Sequence, residues 1–86
     1  MDYELRWLMY RRRWSNREKR VLLVLLTRSS ILSKRRIGNA ARTSDTTVSM
    51  VLMLLEGQGL AGHSPLDHYF LTCTGRNACL QILGLA

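Results

Sequence analysis

Imidazole and thiolate are the usual ligands of zinc, and the chain carries four of them close together: His63, His68, Cys73 and Cys79. Zinc sites are built from tight ligand pairs. No Cys-x-x-Cys pair occurs here, and the spacings match no standard site, so the expectation is two loop histidines, two ordinary thiols and no bound metal. No other reactive constellation stands out. There is no nucleophile set beside a base in a known motif, no phosphate-cradling Gly-x-x-x-x-Gly-Lys run and no dinucleotide fingerprint. The chain is therefore expected to be no enzyme and to need no cofactor.

The chemistry on offer is that of guanidinium. Arginine supplies 11 of the 13 basic side chains, against 6 acidic ones, for a net charge of +7. Residues 1–43 hold 12 basic and 3 acidic groups, a net +9, while residues 44–86 hold only Arg76 against Asp45, Glu56 and Asp67, a net −2. A planar guanidinium fork suits bidentate phosphate contacts, and a concentrated cation gains affinity for a phosphate backbone by releasing its counterions. An acidic lipid surface or an acidic protein could use the same charge.

At 86 residues the chain has room for one folded core, and 47% hydrophobic with 22% charged residues is a globular composition. Two cysteines are too few for a secreted disulfide framework. The longest apolar run, Val21 to Leu26, is too short to span a bilayer, and nothing at the start reads as a signal peptide. The expectation is a soluble cytoplasmic protein with no membrane partner.

Five helical segments and a hairpin would position the cations. Residues 2–14 lack Gly and Pro and place Tyr3, Trp7, Tyr10 and Trp14 at helical spacing, as one aromatic stripe. Four of the chain's six aromatics lie there. The stripe either packs on the domain's own core or forms a homodimer interface, because so small a core has little left to cover. Ser15-Asn-Arg-Glu18 fits a capping box and opens a helix through Val21–Leu26 to about Arg28, apolar all round and so central. Ser29-Ser30 should end it, and Ile31-Leu32 leads inward. Ser33 caps a short helix from Lys34 to about Arg42, with Ile37, Ala40 and Ala41 facing in. After the turn Thr43-Ser44-Asp45, with Ser44 or Asp45 as cap, a helix from Thr46 to about Gly57 puts Val48, Val51, Leu52 and Leu55 on one stripe. Leu60–Gly62 and Tyr69–Thr72 read as two short strands, and Thr74–Leu83 as a last helix with Ala78, Ile82 and Cys79 on one face.

Helix, short helix, tight turn, helix, β-hairpin, helix is the order of a winged helix-turn-helix. The expected fold class is thus mostly α with a small β-hairpin, residues 15–86 forming that domain and residues 1–14 an extra N-terminal helix. Thr46-Thr-Val-Ser-Met-Val-Leu-Met-Leu-Leu-Glu-Gly-Gln-Gly-Leu60 and Tyr69-Phe-Leu-Thr-Cys-Thr-Gly-Arg76 resemble the recognition helix and the wing exit of small bacterial winged-helix transcription regulators of the MarR and PadR kind. Ser64-Pro-Leu66 is also similar to small regulators of bacterial pilus genes. The resemblance implies a regulator that binds double-stranded DNA, and with the aromatic stripe as interface it is expected to act as a homodimer.

This chain departs from those families in one respect: where they commonly carry Arg or Lys near the start of the recognition helix it has Met50, and residues 46–57 contain no basic side chain. Base readout then falls to Thr46, Thr47, Ser49 and Met50, with Ser44 at the helix start. Phosphate contacts fall to Lys34, Arg35, Arg36 and Arg42, and the wing contributes His63, Ser64 and His68. Met50, Met53 and Leu54 form a second apolar flank, which could meet thymine methyls, bind another protein or lie beneath residues 1–14. A protein-interaction adaptor using the aromatic stripe and this flank is the alternative to DNA binding.

Overall fold

In the computed structural model, residues 12–28 and 32–85 are described. Tyr3, Trp7 and Tyr10, and the expected helix stop at Ser29-Ser30 with Ile31, lie outside them.

Among the described residues, four helices and a three-stranded antiparallel sheet follow one another as α1 (Asn16–Thr27), β1 (Leu32–Ser33), α2 (Lys34–Ala41), α3 (Asp45–Gly57), β2 (Ala61–His63), β3 (His68–Leu71) and α4 (Cys73–Ile82). Each helix begins on a hydroxyl cap. Ser15, Ser33, Ser44 and Thr72 each accept a hydrogen bond from the backbone amide three residues on, which satisfies a donor that the helix start leaves orphaned. At Ser15 the box is reciprocal, since the Glu18 carboxylate accepts from the Ser15 amide at 2.7 Å. Glu18 is buried at 6% exposure, and a carboxylate there must be paired. Arg12 supplies the partner at 2.6 Å and lays its guanidinium 4.7 Å from the Trp14 ring centre.

Trp14 itself is 6% exposed and belongs to the core. Of the two roles open to it, core cover or dimer contact, it has the first. Nor does a helix run on through it, because residues 12–15 are not helical: Ser15 must stay extended to cap α1.

α1 is central and packs against α2, α3 and α4. It is not buried all round, for Leu23 points outward at 43% exposure. In α2 the buried side is Ile37, Gly38 and Ala41, whereas Ala40, expected inside, is exposed. Gly38 lies close to the turn and to α3: an added Cβ would stand 3.3 Å from the Thr43 carbonyl oxygen and 3.5 Å from Val48 Cγ2. The α3 stripe of Val48, Val51, Leu52 and Leu55 is buried as its spacing predicts.

The stop after α3 is a paired C-cap. Gly59, at φ 71°, donates to the Glu56 carbonyl at 3.0 Å, and Leu60 donates to the Leu55 carbonyl at 2.9 Å, with both leucines fully buried. The sheet has order β1-β3-β2, so the expected hairpin gains a third strand in which Leu32 faces Tyr69. A two-residue strand gives too little periodicity to be seen in sequence. The two hairpin strands are shifted from expectation to Ala61–His63 and His68–Leu71, the second ending before Thr72 because Thr72 is taken up as the α4 cap. Behind them Gly75 packs on Leu60 so closely that a Cβ would stand 1.7 Å from its carbonyl oxygen, and Arg76 donates to the Leu26 carbonyl near the end of α1.

Among the described residues no helix is long and apolar enough to cross a membrane, and no cluster of three or more His, Cys, Asp or Glu is arranged to hold a metal ion.

Candidate nucleic-acid interface

The surface of interest is built from α2, the turn after it, and the outward face of α3. Four core positions fix how α3 is rotated, so residues 46, 50, 53 and 57 face away from the core. Thr46 is exposed, Met50 is 37% exposed and Met53 is 69% exposed. Thr47 and Ser49 sit on the two flanks and are half-buried. Leu54 is partly buried against the core, so the apolar flank expected from Met50, Met53 and Leu54 narrows to the two methionines.

The hydroxyls are not equally free. Ser44 Oγ accepts from the Thr47 amide at 3.3 Å and lies 3.2 Å from Thr47 Oγ1, so these two side chains hold the helix start together. Among the described residues Thr46 has no such tie. Ser49 lines a hollow with Lys34, Leu52, Met53, Glu56 and Tyr69, between α3 and the sheet.

Structure separates the four cations expected to act as one group. Lys34 and Arg35, at the start of α2, line a hollow with Ser33, Leu66, Asp67 and Tyr69, and the Lys34 ammonium lies 5.5 Å from the Tyr69 ring centre. Arg36 is exposed in the same turn of helix. Arg42 lies beyond the far end of α2. There it lines a polar hollow with Arg17, Arg20, Asn39, Thr43 and Ser44. An 8-residue helix is about 12 Å long, so the two cation groups stand roughly that far apart. Neither Arg17 nor Arg20 was singled out in the sequence. The available signal was their i, i+3 spacing on the first turns of α1, which turns both the same way.

Arg20 is held in place: its Nε donates to the Ala41 carbonyl at 2.8 Å and its NH2 to the Arg42 carbonyl at 3.4 Å, which caps the carbonyl end of α2. Arg42 adopts φ 54° and ψ 51°, a left-handed conformation that glycine takes freely and that costs another residue about 1 kcal/mol or more. Among the described residues Arg12–Glu18 is the one Lys or Arg pair with a carboxylate, so Lys34, Arg35, Arg36, Arg17 and Arg42 meet no described carboxylate within bonding distance.

The wing is a short turn. Ser64 Oγ accepts from the Leu66 and His68 amides, both at 3.3 Å, and the Asp67 amide donates to the Ser64 carbonyl at 2.9 Å. Ser64 thus shapes the turn. His63 Nδ1 is 2.6 Å from Glu56 Oε2, which ties the wing to the last turn of α3, and its ring tilts against Tyr69 at 5.4 Å. His68 is half-buried opposite Ser33. The tip offers Leu66, exposed at 77%, and Asp67, but no Lys or Arg.

The cysteines stay apart from this surface in character. Cys73 is exposed and Cys79 buried, both as free thiols. Burial pushes the Cys79 thiol up from 9.0 to about 11, a rise that the nearby Arg76 charge partly opposes. A raised pKa is the opposite of what a nucleophilic thiolate needs, so Cys79 is built as a core side chain.

No protein-family model matches the chain, and no curated protein matches it in sequence.

Proposed function

We propose that the chain is a winged helix-turn-helix regulator that binds double-stranded DNA sequence-specifically, as a homodimer, with α2 and α3 as the helix-turn-helix and β2–β3 as the wing. The observation that carries this reading is the pair of cation groups at the two ends of α2, none of them ion-paired among the described residues, with the outward face of α3 running between them. Ser44, at the start of α3, shares the hollow of Arg42, while Ser49, one turn along, shares a hollow with Lys34. The B-DNA major groove is about 12 Å wide, close to the separation of the two groups, and it accepts one α-helix. In this arrangement Lys34, Arg35, Arg36 and Arg42 grip phosphates, and Thr46, Met50 and Met53 meet base edges.

Two methionines on the outward face favour contact with thymine methyls over hydrogen-bonded readout. Thr46, Thr47 and Ser49 supply the remaining polar contacts. The wing adds little attraction, since its tip carries Asp67 and no fixed cation. The homodimer rests on Tyr3, Trp7 and Tyr10, three aromatics beyond the Trp14 that already closes the core.

A protein-interaction adaptor is the second reading. It is favoured by the exposure of Met53 and Leu66, at 69% and 77%. An electrophoretic shift separates the two. A duplex enriched from a random pool should bind at least tenfold more tightly than a scrambled duplex of equal length. Equal binding of both, or binding of neither, would refute the regulator and favour the adaptor.

A further inference from the structure

We propose that the hollow between α1, the end of α2 and the start of α3 is a phosphate-binding site built on Arg17, Arg20, Arg42 and Ser44. If the duplex reading above holds, its ligand is a phosphodiester of the DNA backbone. The cations come from two separate parts of the chain: Arg17 and Arg20 from the first turns of α1, and Arg42 from the turn into α3. Arg20 is anchored by its bonds to the Ala41 and Arg42 carbonyls, so part of the site is preorganised before any ligand arrives.

The start of α3 closes the hollow from the other side. Ser44 Oγ is engaged by the Thr47 amide, and the Ser44 carbonyl by the Val48 amide at 3.1 Å. The amides of Asp45 and Thr46 are the first-turn donors that a helix leaves without intrahelical partners, and they carry the positive end of its dipole. Among the described residues, Asp45 brings a carboxylate near. Asp45 Oδ1 is 3.5 Å from where a Cβ on Gly38 would lie. Three guanidinium groups against this one carboxylate leave the hollow at a net +2, enough for a singly charged phosphodiester.

Together with Lys34 and Arg35 at the opposite end of α2, the hollow makes the interface two-handed, with phosphates taken on both sides of the helix that enters the groove. Arg42 is the informative residue. Its left-handed backbone would be easier for glycine, so Arg42→Gly removes the cation while relieving the strain. Loss of binding in that variant is then no folding defect.

The test uses the full chain, labelled with ¹⁵N, titrated with inorganic phosphate at constant ionic strength. Affinities for a random 20-bp duplex are measured in parallel across salt for the wild type, Arg17→Gln, Arg42→Gly and Lys34→Gln. Phosphate should shift the Asp45 and Thr46 amides in the wild type and far less in Arg17→Gln and Arg42→Gly. Each of those two variants should also lower the salt slope of duplex binding by about 0.9, one phosphate contact, while Arg42→Gly melts at or above the wild-type temperature. If both variants keep the full slope and only Lys34→Gln reduces it, the hollow is overturned and the duplex reading stands. If the hollow takes phosphate but the wild type binds no duplex, the anion site stands and the DNA reading falls. Absence of amide shifts together with an unchanged slope overturns the site.

Discussion

Gly75→Ala is expected to remove a large part of the domain's stability. An ideal Cβ at position 75 would stand 1.7 Å from the Leu60 carbonyl oxygen, 2.7 Å from its carbonyl carbon and 3.1 Å from its Cα. Ordinary van der Waals contact begins at 3.4 Å, so α4 would have to retreat from the sheet by about as much as the present separation. The obstacle is backbone, with no side chain to swing aside. That same oxygen accepts the Thr72 amide at 3.0 Å, while Thr72 Oγ1 donates to the Gly59 carbonyl at 3.0 Å, so the retreat strains the whole junction between α3, the sheet and α4. Overpacking of a well-filled core costs about 1–3 kcal/mol and occasionally more, and a rigid backbone obstacle belongs at the upper end. A domain of this size holds only about 4–13 kcal/mol in total. A loss of about 3 kcal/mol would lower the melting temperature by roughly 12–24 °C. Gly57→Ala is the control. It lies in α3 with nothing within 4 Å of an added Cβ, and should be neutral or up to about 1 kcal/mol stabilising. Thermal and urea melts followed by circular dichroism read both variants. If Gly75→Ala falls within about 0.5 kcal/mol of the wild type, the packing of α4 on Leu60 is wrong.

At the interface, Thr46→Ala or Ser49→Ala should narrow the preference for an enriched over a random duplex by about 1–3 kcal/mol, whereas Arg35→Ala should weaken both about equally and reduce the salt slope by about one. A matrix of affinities checks this, and silent Thr46 and Ser49 variants would end base reading by α3. Replacing Trp7 and Tyr10 together with alanine should yield a monomer by analytical ultracentrifugation; a wild type that is already monomeric at high micromolar concentration contradicts the dimer. Cys73 should react with a thiol reagent at pH 8 in the folded chain and Cys79 only on unfolding. Because folding raises the Cys79 pKa from 9.0 to about 11, its contribution to stability is intact below pH 9 and declines as the pH rises towards 11. The difference in urea stability between the wild type and Cys79→Ala, at pH 8 and pH 10.5, should show that decline.

Helices and caps were legible because their signals are local. Ser15-x-x-Glu18 specifies a start by itself, and the Val48, Val51, Leu52 and Leu55 spacing fixes which face of α3 turns inward. What stayed hidden depends on tertiary pairing. β1 is a strand only because Leu32 meets Tyr69, 37 positions away. Trp14 continues a helical aromatic spacing, yet Ser15 is extended to cap α1, residues 12–15 are not helical, and the ring lies in the core. The grouping of Arg17 and Arg20 with Arg42 could not be read either, since they meet only through the packing of α1 on α2. The segments that carry the resemblance have structural work of their own. Leu55-Glu56-Gly57-Gln58-Gly59-Leu60 is a helix C-cap, and in Thr72-Cys73-Thr74-Gly75-Arg76 a cap, a close approach and an α1 anchor follow in turn. Such motifs inform on the fold more than on the ligand.

The most direct test of DNA binding is the affinity of the full chain for a random 20-bp duplex as a function of salt, from 50 to 200 mM. About six phosphate contacts predict a linear fall of log affinity with log salt, amounting to roughly a thousandfold loss across that range. An affinity that stays flat over the same range, or no binding at 50 mM, would contradict the account.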